Sequence, residues 1–279
     1  MTLHELAERY CHLVDGSPGY ADQLAWCCAR LDAYLGRAAR VADLSESMLN
    51  DWLDSVRDRL SPVTRRQRRN IILRLWKHAA RHGICAAKPD TDEVVRIKLR
   101  QRPPQAWSID QVRQLLAVAS QLTGTYDRRW PKSLFWRSWI LAAWDVGWRS
   151  CDAFALEIRQ LSAKLALVQR KTGRTLYARL RTQALAAIEK WLDATGRDRR
   201  YVWERWCGRG AWCRIAQRLV KRSGLPGSIG WLRASAGTAC ELAFPQRGYL
   251  FLGNTPAIFY GHYFDRRLCD DFPQPPELV

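Results

Sequence analysis

The sequence predicts a mainly α-helical protein with one small β-hairpin, arranged as two domains. Three observations lead there. Apolar residues recur three and four apart over most of the chain, the period of a helix that buries one face. Strict alternation is convincing in one place only, 165–180, on either side of a glycine-containing turn. Between 87 and 106 the helical pattern stops at Lys88-Pro89-Asp90, and Pro103-Pro104 stiffens an extended stretch. With 279 residues to divide, this gives a helical domain at 1–86, a basic linker at 87–106 and a second domain at 107–279.

Taken in order, the first helix covers 3–14 and stops at Asp15-Gly16-Ser17-Pro18-Gly19, and the second covers 20–35. A third begins near 45, with Ser47 as candidate N-cap and Leu49, Trp52, Leu53 and Val56 turned inward. The fourth, opened by Ser61-Pro62, carries Arg65, Arg66, Arg68, Arg69, Arg74, Lys77 and Arg81 and has no acidic residue up to Gly83. Its apolar stripe is Ile71, Ile72, Leu75 and Ala79, while Arg66, Arg74, Lys77 and Arg81 share another face. A face of one sign repels itself unless a polyanion neutralises it, so these cations are candidate nucleic-acid contacts, together with Arg102 in the linker and Arg174 in the hairpin turn.

In the second domain Ser108 caps a new helix, and an apolar helix runs from about 132 to 146 and ends at Gly147. The strands 165–169 and 175–180 flank Lys171-Thr172-Gly173-Arg174. Helices then return up to 195, over 210–223 and over 228–242, with short ones around 254 and after 263. The last ten residues are acidic and rich in proline, the composition of a tail.

Lys plus Arg total 45 against 27 Asp plus Glu, a net charge of +18, and a field of that sign attracts polyanions. Nucleic acid is the first candidate partner. A membrane is a poorer one, because the cations are spread over several helices and no stretch of about 18 apolar residues exists. The N-terminus is polar and acidic, unlike a signal peptide, which points to the cytoplasm. Nine cysteines, an odd count without a C-x-x-C pair, argue against a disulfide framework or a zinc site and for reduced thiols, most of them packed inside. The fourteen tryptophans, among them Trp136, Trp139 and Trp144 at helical spacing, are read mostly as core.

The chemistry concentrates in four features in a fixed order: Arg149 after a glycine-ended helix, Lys171 in the hairpin turn, Arg233 in a helix, and a pair of tyrosines, Tyr260 and Tyr263, near the end. Two arginines suit an in-line attack on a phosphodiester, because planar, always-charged forks hold the non-bridging oxygens and offset growing negative charge.

Over nearly its whole length the chain resembles the tyrosine recombinase, or phage integrase, family. Gly147-Trp148-Arg149-Ser150-Cys151-Asp152 resembles the family's G-x-R-x-x-E/D motif, and Gln169-Arg170-Lys171-Thr172-Gly173 its Q-x-K-T-G hairpin. The segment 230–238 is similar to H-x-L-R-x-[ST]-x-[AG]-T, with Arg233 at the arginine. Leu252-Gly253-Asn254, with Tyr263 nine residues on, is similar to the L-G-H spacing to the nucleophile. The specificity lies in order and spacing together.

The resemblance implies a helical core-binding domain followed by an α+β catalytic domain, acting on double-stranded DNA as a homotetramer, with accessory DNA-bending proteins as further partners and a nucleoid-associated location. It implies Tyr263 as nucleophile forming a 3′-phosphotyrosine, Arg149 and Arg233 as phosphate ligands, Lys171 as acid for the departing 5′-oxygen, and Asp152 as a residue that orients an arginine, with no metal, ATP or other cofactor. Two positions depart from the pattern. The motif histidine falls on Gly230, and the second histidine or tryptophan falls on Asn254, which hydrogen-bonds well but transfers protons poorly. His262, beside the nucleophile, is the remaining imidazole of this half and a candidate to supply part of that function. The second reading of the chain is a recombinase-like DNA-binding protein with weakened cleavage.

Overall fold

The computed structural model describes residues 1–99, 103–204 and 207–269, apart from the side chain of Arg209. The chain forms two compact units, Met1–Gln101 and Arg102–Val279.

The first unit holds four helices, α1 (Leu3–Leu13), α2 (Pro18–Leu35), α3 (Glu46–Ser55) and α4 (Pro62–Arg81). A reciprocal capping box opens α1, with Glu5 N–H donating to Thr2 Oγ1 and Thr2 N–H donating to Glu5 Oε2. The N-cap of helix α3 lies two residues before the expected one. Ser45 has the extended backbone an N-cap needs and accepts from Met48 N–H at 3.2 Å, whereas Ser47 lies inside the first turn. The stripe expected on α4 is buried at Ile71, Ile72, Leu75 and Ala79, and Leu73 and Trp76 widen it. These residues close on Leu3, Leu6, Leu31, Leu53 and Trp52 to make the core of this unit. Arg68 also turns inward, its guanidinium 4.7 Å from the Trp26 ring.

Residues 87–99, read from sequence as the start of a linker, lie against this first unit. Val94 is in its core, Asn50 clasps the backbone through Glu93 O and Val95 N–H, and Arg69 donates to Thr91 O, Val94 O and Val95 O. Arg102 and the acidic tail fall outside the described residues.

The second unit is built on α6 (Lys132–Val146), preceded by α5 (Ile109–Ser120). Helix α5 carries the expected Ser108 cap, as a capping box with Gln111. Helices α5, α8 (Thr182–Thr195) and α10 (Trp231–Ala243) all pack on α6, and α9 (Arg209–Arg222) packs on α5. The tryptophans do fill this core: Trp136 stacks on Trp212 at 5.1 Å, and Trp139 lies 5.4 Å from the same ring.

The hairpin formed by β3 (Lys164–Val168) and β4 (Thr175–Arg179) is antiparallel in the register Lys164↔Arg179 to Val168↔Thr175, within one residue of the expected limits. Leu165, Leu167 and Leu176 face the core. It is not the sole strand pair, as the alternation implied. The miniature β1 (Thr125–Tyr126) and β2 (Trp130–Pro131) pair across Asp127 and Arg128, which adopt φ of 46° and 54°. Two-residue strands carry no period to detect.

The remaining short helices are α7 (Ser150–Ala153), α11 (Gly248–Leu252) and α12 (Pro256–His262). Fewer thiols are packed inside than composition implied: Cys11, Cys27 and Cys28 are buried, while Cys151 and Cys213 are exposed. Among the described residues, no helix is long and apolar enough to cross a membrane.

Candidate active site

Gly147 fixes the entry to the site. It ends α6 with φ +62°, and a Cβ there would lie 2.6 Å from Leu252 Cδ2 and from Phe251 Cε1. Both the left-handed backbone and the close approach of α11 therefore require glycine. Two residues later Arg149 leaves the helix in extended conformation as the N-cap of α7. Its Nη1 donates to Gln169 Oε1 at 3.2 Å and lies 3.9 Å from Asp152 Oδ2. The Asp152 carboxylate is buried, and its Oδ1 accepts the Arg170 N–H at 2.9 Å, which ties the hairpin turn to α7.

Arg233 comes in from α10 and is 5% exposed. Its Nη1 donates to Gly147 O and its Nη2 to Leu252 O. Its Cζ stands 5.0 Å from the centroid of the Tyr263 ring. Tyr263 caps the C-terminus of α12, with its N–H donating to Phe259 O and its carbonyl accepting from Thr238 Oγ1 at 3.1 Å. Burial alone pushes the Tyr263 phenol up, but the charges of Arg233 and then Arg149 outweigh it and leave the group below its ordinary value.

Tyr260 has the opposite environment. Its hydroxyl donates to Glu241 Oε1 at 2.6 Å, and that carboxylate pushes the phenol up to about 12. Glu241 also accepts from the backbone of Gln246 and Gly248, so it fastens the α10–α11 connection to α12. Of two tyrosines left comparable by local pattern, the cations gather on Tyr263 and the carboxylate on Tyr260.

Three buried polar atoms here make no hydrogen bond among the described residues: Arg233 Nε, Asn254 Nδ2 and Asp152 Oδ2. The two donors belong to side chains that converge on the end of α11, since Arg233 binds Leu252 O and Asn254 is two residues beyond. Unpartnered buried donors beside two guanidinium groups suit an anion.

The other sequence candidates sit as follows. Lys171 is exposed at the tip of the β3–β4 turn, whose Gly173 adopts φ +67°, and Arg174 is exposed beside it. Gly230 is the exposed N-cap of α10, where a Cβ would approach only Ser228 Oγ, at 3.5 Å. His262 is the exposed last residue of α12. Sequence reasoning gave no role to Gln169, Thr238 or Glu241. The first two stood inside the quoted motifs, while Glu241 had no sequence signal beyond a lone acid in an apolar helix.

On the first unit, Arg66, Arg74, Lys77 and Arg81 line a groove of about 770 Å³, joined by Arg96 and Lys98 from the segment after α4. Arg74 is steadied by Tyr20, whose hydroxyl accepts its Nη1 at 2.7 Å. Arg65 and Arg69 spend hydrogen bonds on backbone carbonyls, Arg65 on Leu53 and Arg69 on residues 91–95.

No family model and no curated protein matches the chain. Solved structures do. The lambda integrase dimer bound to a COC′ core site is similar with a TM-score of 0.71 and 17% identity, over 99% of this chain and 81% of that one. The Tn1549 transposon integrase in complex with circular intermediate DNA gives 0.65 and 12%, over 95% of each chain. The XerH site-specific recombinase in its pre-cleavage complex with difH gives 0.65 and 16%, over 93% and 82%. All are tyrosine recombinases, and this chain has their fold.

Proposed function

We propose that the chain is a tyrosine-type site-specific DNA recombinase or integrase, with residues 1–86 as a DNA core-binding domain and 107–279 as the catalytic domain. The observation that carries the reading is the environment of Tyr263: a half-buried phenol below its ordinary value, with the guanidinium of Arg233 over its ring and that of Arg149 near enough to lower it further. A half-buried phenol gains nothing structurally from such a setting, whereas a nucleophile that must lose its proton does.

Tyr263 gives up its phenolic proton to solvent, its Oη attacks phosphorus in line, the P–O5′ bond breaks, and a 3′-phosphotyrosine forms. Arg149 and Arg233 hold the non-bridging oxygens and offset the charge that grows on them. The unpartnered Arg233 Nε and Asn254 Nδ2 are two donors available to the same phosphate. Lys171, on its exposed turn, supplies the proton to the departing 5′-oxygen. The phosphodiester energy is kept in the protein linkage, so another 5′-hydroxyl can attack and rejoin the strand without ATP. Exchange of two duplexes needs four cleavages and each protomer brings one nucleophile, so the working assembly is a tetramer on DNA. The groove cations of the first unit and Arg174 supply sequence-independent phosphate contacts.

A second reading is favoured by one observation. The positions that resemble the family's imidazoles hold Gly230, which has no side chain, and Asn254, so in this reading the chain binds DNA through the same surfaces and cleaves weakly; His262 is exposed and has no partner among the described residues. The two readings separate on a pool of nicked duplexes of randomised sequence. The recombinase reading expects a denaturant-resistant protein–DNA adduct that is lost in Tyr263→Phe and kept in Tyr260→Phe. DNA retained only under native conditions would favour the binding reading.

A further inference from the structure

Gln169 is 1% exposed and is the first residue past β3. Its Oε1 accepts two hydrogen bonds, from Arg149 Nη1 at 3.2 Å and from Thr172 Oγ1 at 2.9 Å. Its Nε2 donates to Leu252 O at 3.1 Å, and that same carbonyl accepts from Arg233 Nη2 at 2.9 Å. The backbone of Gln169 also closes the turn, with its N–H on Arg174 O and its carbonyl accepting from Gly173 and Thr172. One buried amide therefore touches the turn that carries Lys171, the first arginine, and the carbonyl shared with the second arginine. The fit is close, for a Cβ on Gly253 would lie 3.0 Å from Gln169 Nε2.

The chemistry needs an amide. A carboxylate would accept from Arg149 but would lose the donor to Leu252 O and set two oxygens against each other. An aliphatic side chain would leave Leu252 O with one donor fewer and Arg149 Nη1 without this acceptor.

We propose that Gln169 is a positioning residue that sets the Lys171 turn and the two arginines as one unit, so that the acid reaches the 5′-oxygen only when the phosphate ligands are in place. It rests on the recombinase reading and assigns Gln169 no contact with DNA. Two consequences distinguish it from a purely structural residue. Loss of Gln169 should remove part of what Lys171 does, and it should slow cleavage without weakening DNA binding.

The test compares Gln169→Leu, Lys171→Ala and the double variant on a normal nicked duplex and on one whose 5′-bridging oxygen is sulfur, a leaving group that needs no proton. The expected result is a loss of at least roughly tenfold in adduct formation for Gln169→Leu on the oxygen substrate at unchanged DNA affinity, with much of it recovered on sulfur. The double variant should then be little slower than Lys171→Ala alone. Additive losses, an equal defect on both substrates, or wild-type cleavage by Gln169→Leu would overturn it. Absence of any adduct with the unmodified chain would instead fail the recombinase reading. The positioning claim is then judged by hydrogen exchange, where Gln169→Leu should speed exchange at both 170–174 and 252–254, and unchanged exchange there would overturn it.

Discussion

The Arg233 guanidinium lies over the Tyr263 ring, its carbon 5.0 Å from the ring centroid, and Arg233 is held by hydrogen bonds to the carbonyls of Gly147 and Leu252. Two backbone acceptors from separate segments thus aim one buried cation at one phenol. The direction of the Tyr263 shift follows from that arrangement, since burial by itself acts the other way.

The first prediction is therefore a titration. The difference in tyrosinate absorbance between the unmodified chain and Tyr263→Phe should show a phenol ionising below the ordinary value of about 10. In Arg233→Gln the larger of the two cationic influences is gone while burial and Arg149 remain, so the same phenol should ionise at higher pH than in the unmodified chain. The folded form gains as pH rises through the lowered folded value, and the gain is complete only above the unfolded value. A Tyr263 phenol unmoved by Arg233→Gln would separate the two residues.

Tyr260→Phe should keep cleavage and lose stability. The variant removes one hydrogen bond to Glu241, whose carboxylate stays occupied by the backbone of Gln246 and Gly248. A cost of about 1 kcal/mol is expected in denaturant unfolding. Loss of the adduct with full stability retained would point to Tyr260 as the reacting group.

Gly147→Ala should damage both stability and chemistry. The new Cβ would meet Leu252 and Phe251 at 2.6 Å on a left-handed backbone, so about 2–3 kcal/mol of destabilisation is expected. Because Arg149 lies two residues on and Gly147 O holds Arg233, the remaining folded protein should cleave slowly. A variant as stable as the parent would mean that α11 moves away readily.

Charge reversal on the first unit tests the groove. Arg66→Glu and Lys77→Glu should weaken binding to duplexes of unrelated sequence alike, and each lost phosphate contact should reduce the slope of log affinity against log salt by about one. Anisotropy measured across a salt series reads both effects. An unchanged slope would remove α4 from the DNA surface.

Gly230→His asks whether the missing imidazole limits the rate. The position is exposed and has room for a Cβ, so the substitution should be tolerated, and a gain of roughly tenfold or more in adduct formation is expected for a group able to move protons in the transition state. No change would show that position 230 takes no part in the proposed chemistry.

The order and spacing of Arg149, Arg233 and Tyr263 drew attention to them in the sequence, and the structure brings the three side chains together. The helices and the β3–β4 hairpin were legible because their periods of 3.6 and 2 extend over many residues. What escaped was tertiary. Glu241 is a single acid whose partners are 5, 7 and 19 residues away along the chain, and no local pattern indicates such a fastening. Gln169 lay within the hairpin motif, yet its bond to Leu252 O spans 83 residues and becomes visible only when α11 meets the turn. Ser45 and Ser47 were equivalent by composition, and only backbone geometry separated them.

The most direct test of Tyr263 as nucleophile is to digest the covalent adduct and locate the nucleotide remnant by mass spectrometry. The expected result is a phosphodiester-linked remnant on Tyr263, within the peptide containing both tyrosines. A remnant on Tyr260 would contradict the assignment, and an adduct that never forms across the randomised duplex pool would contradict strand cleavage itself.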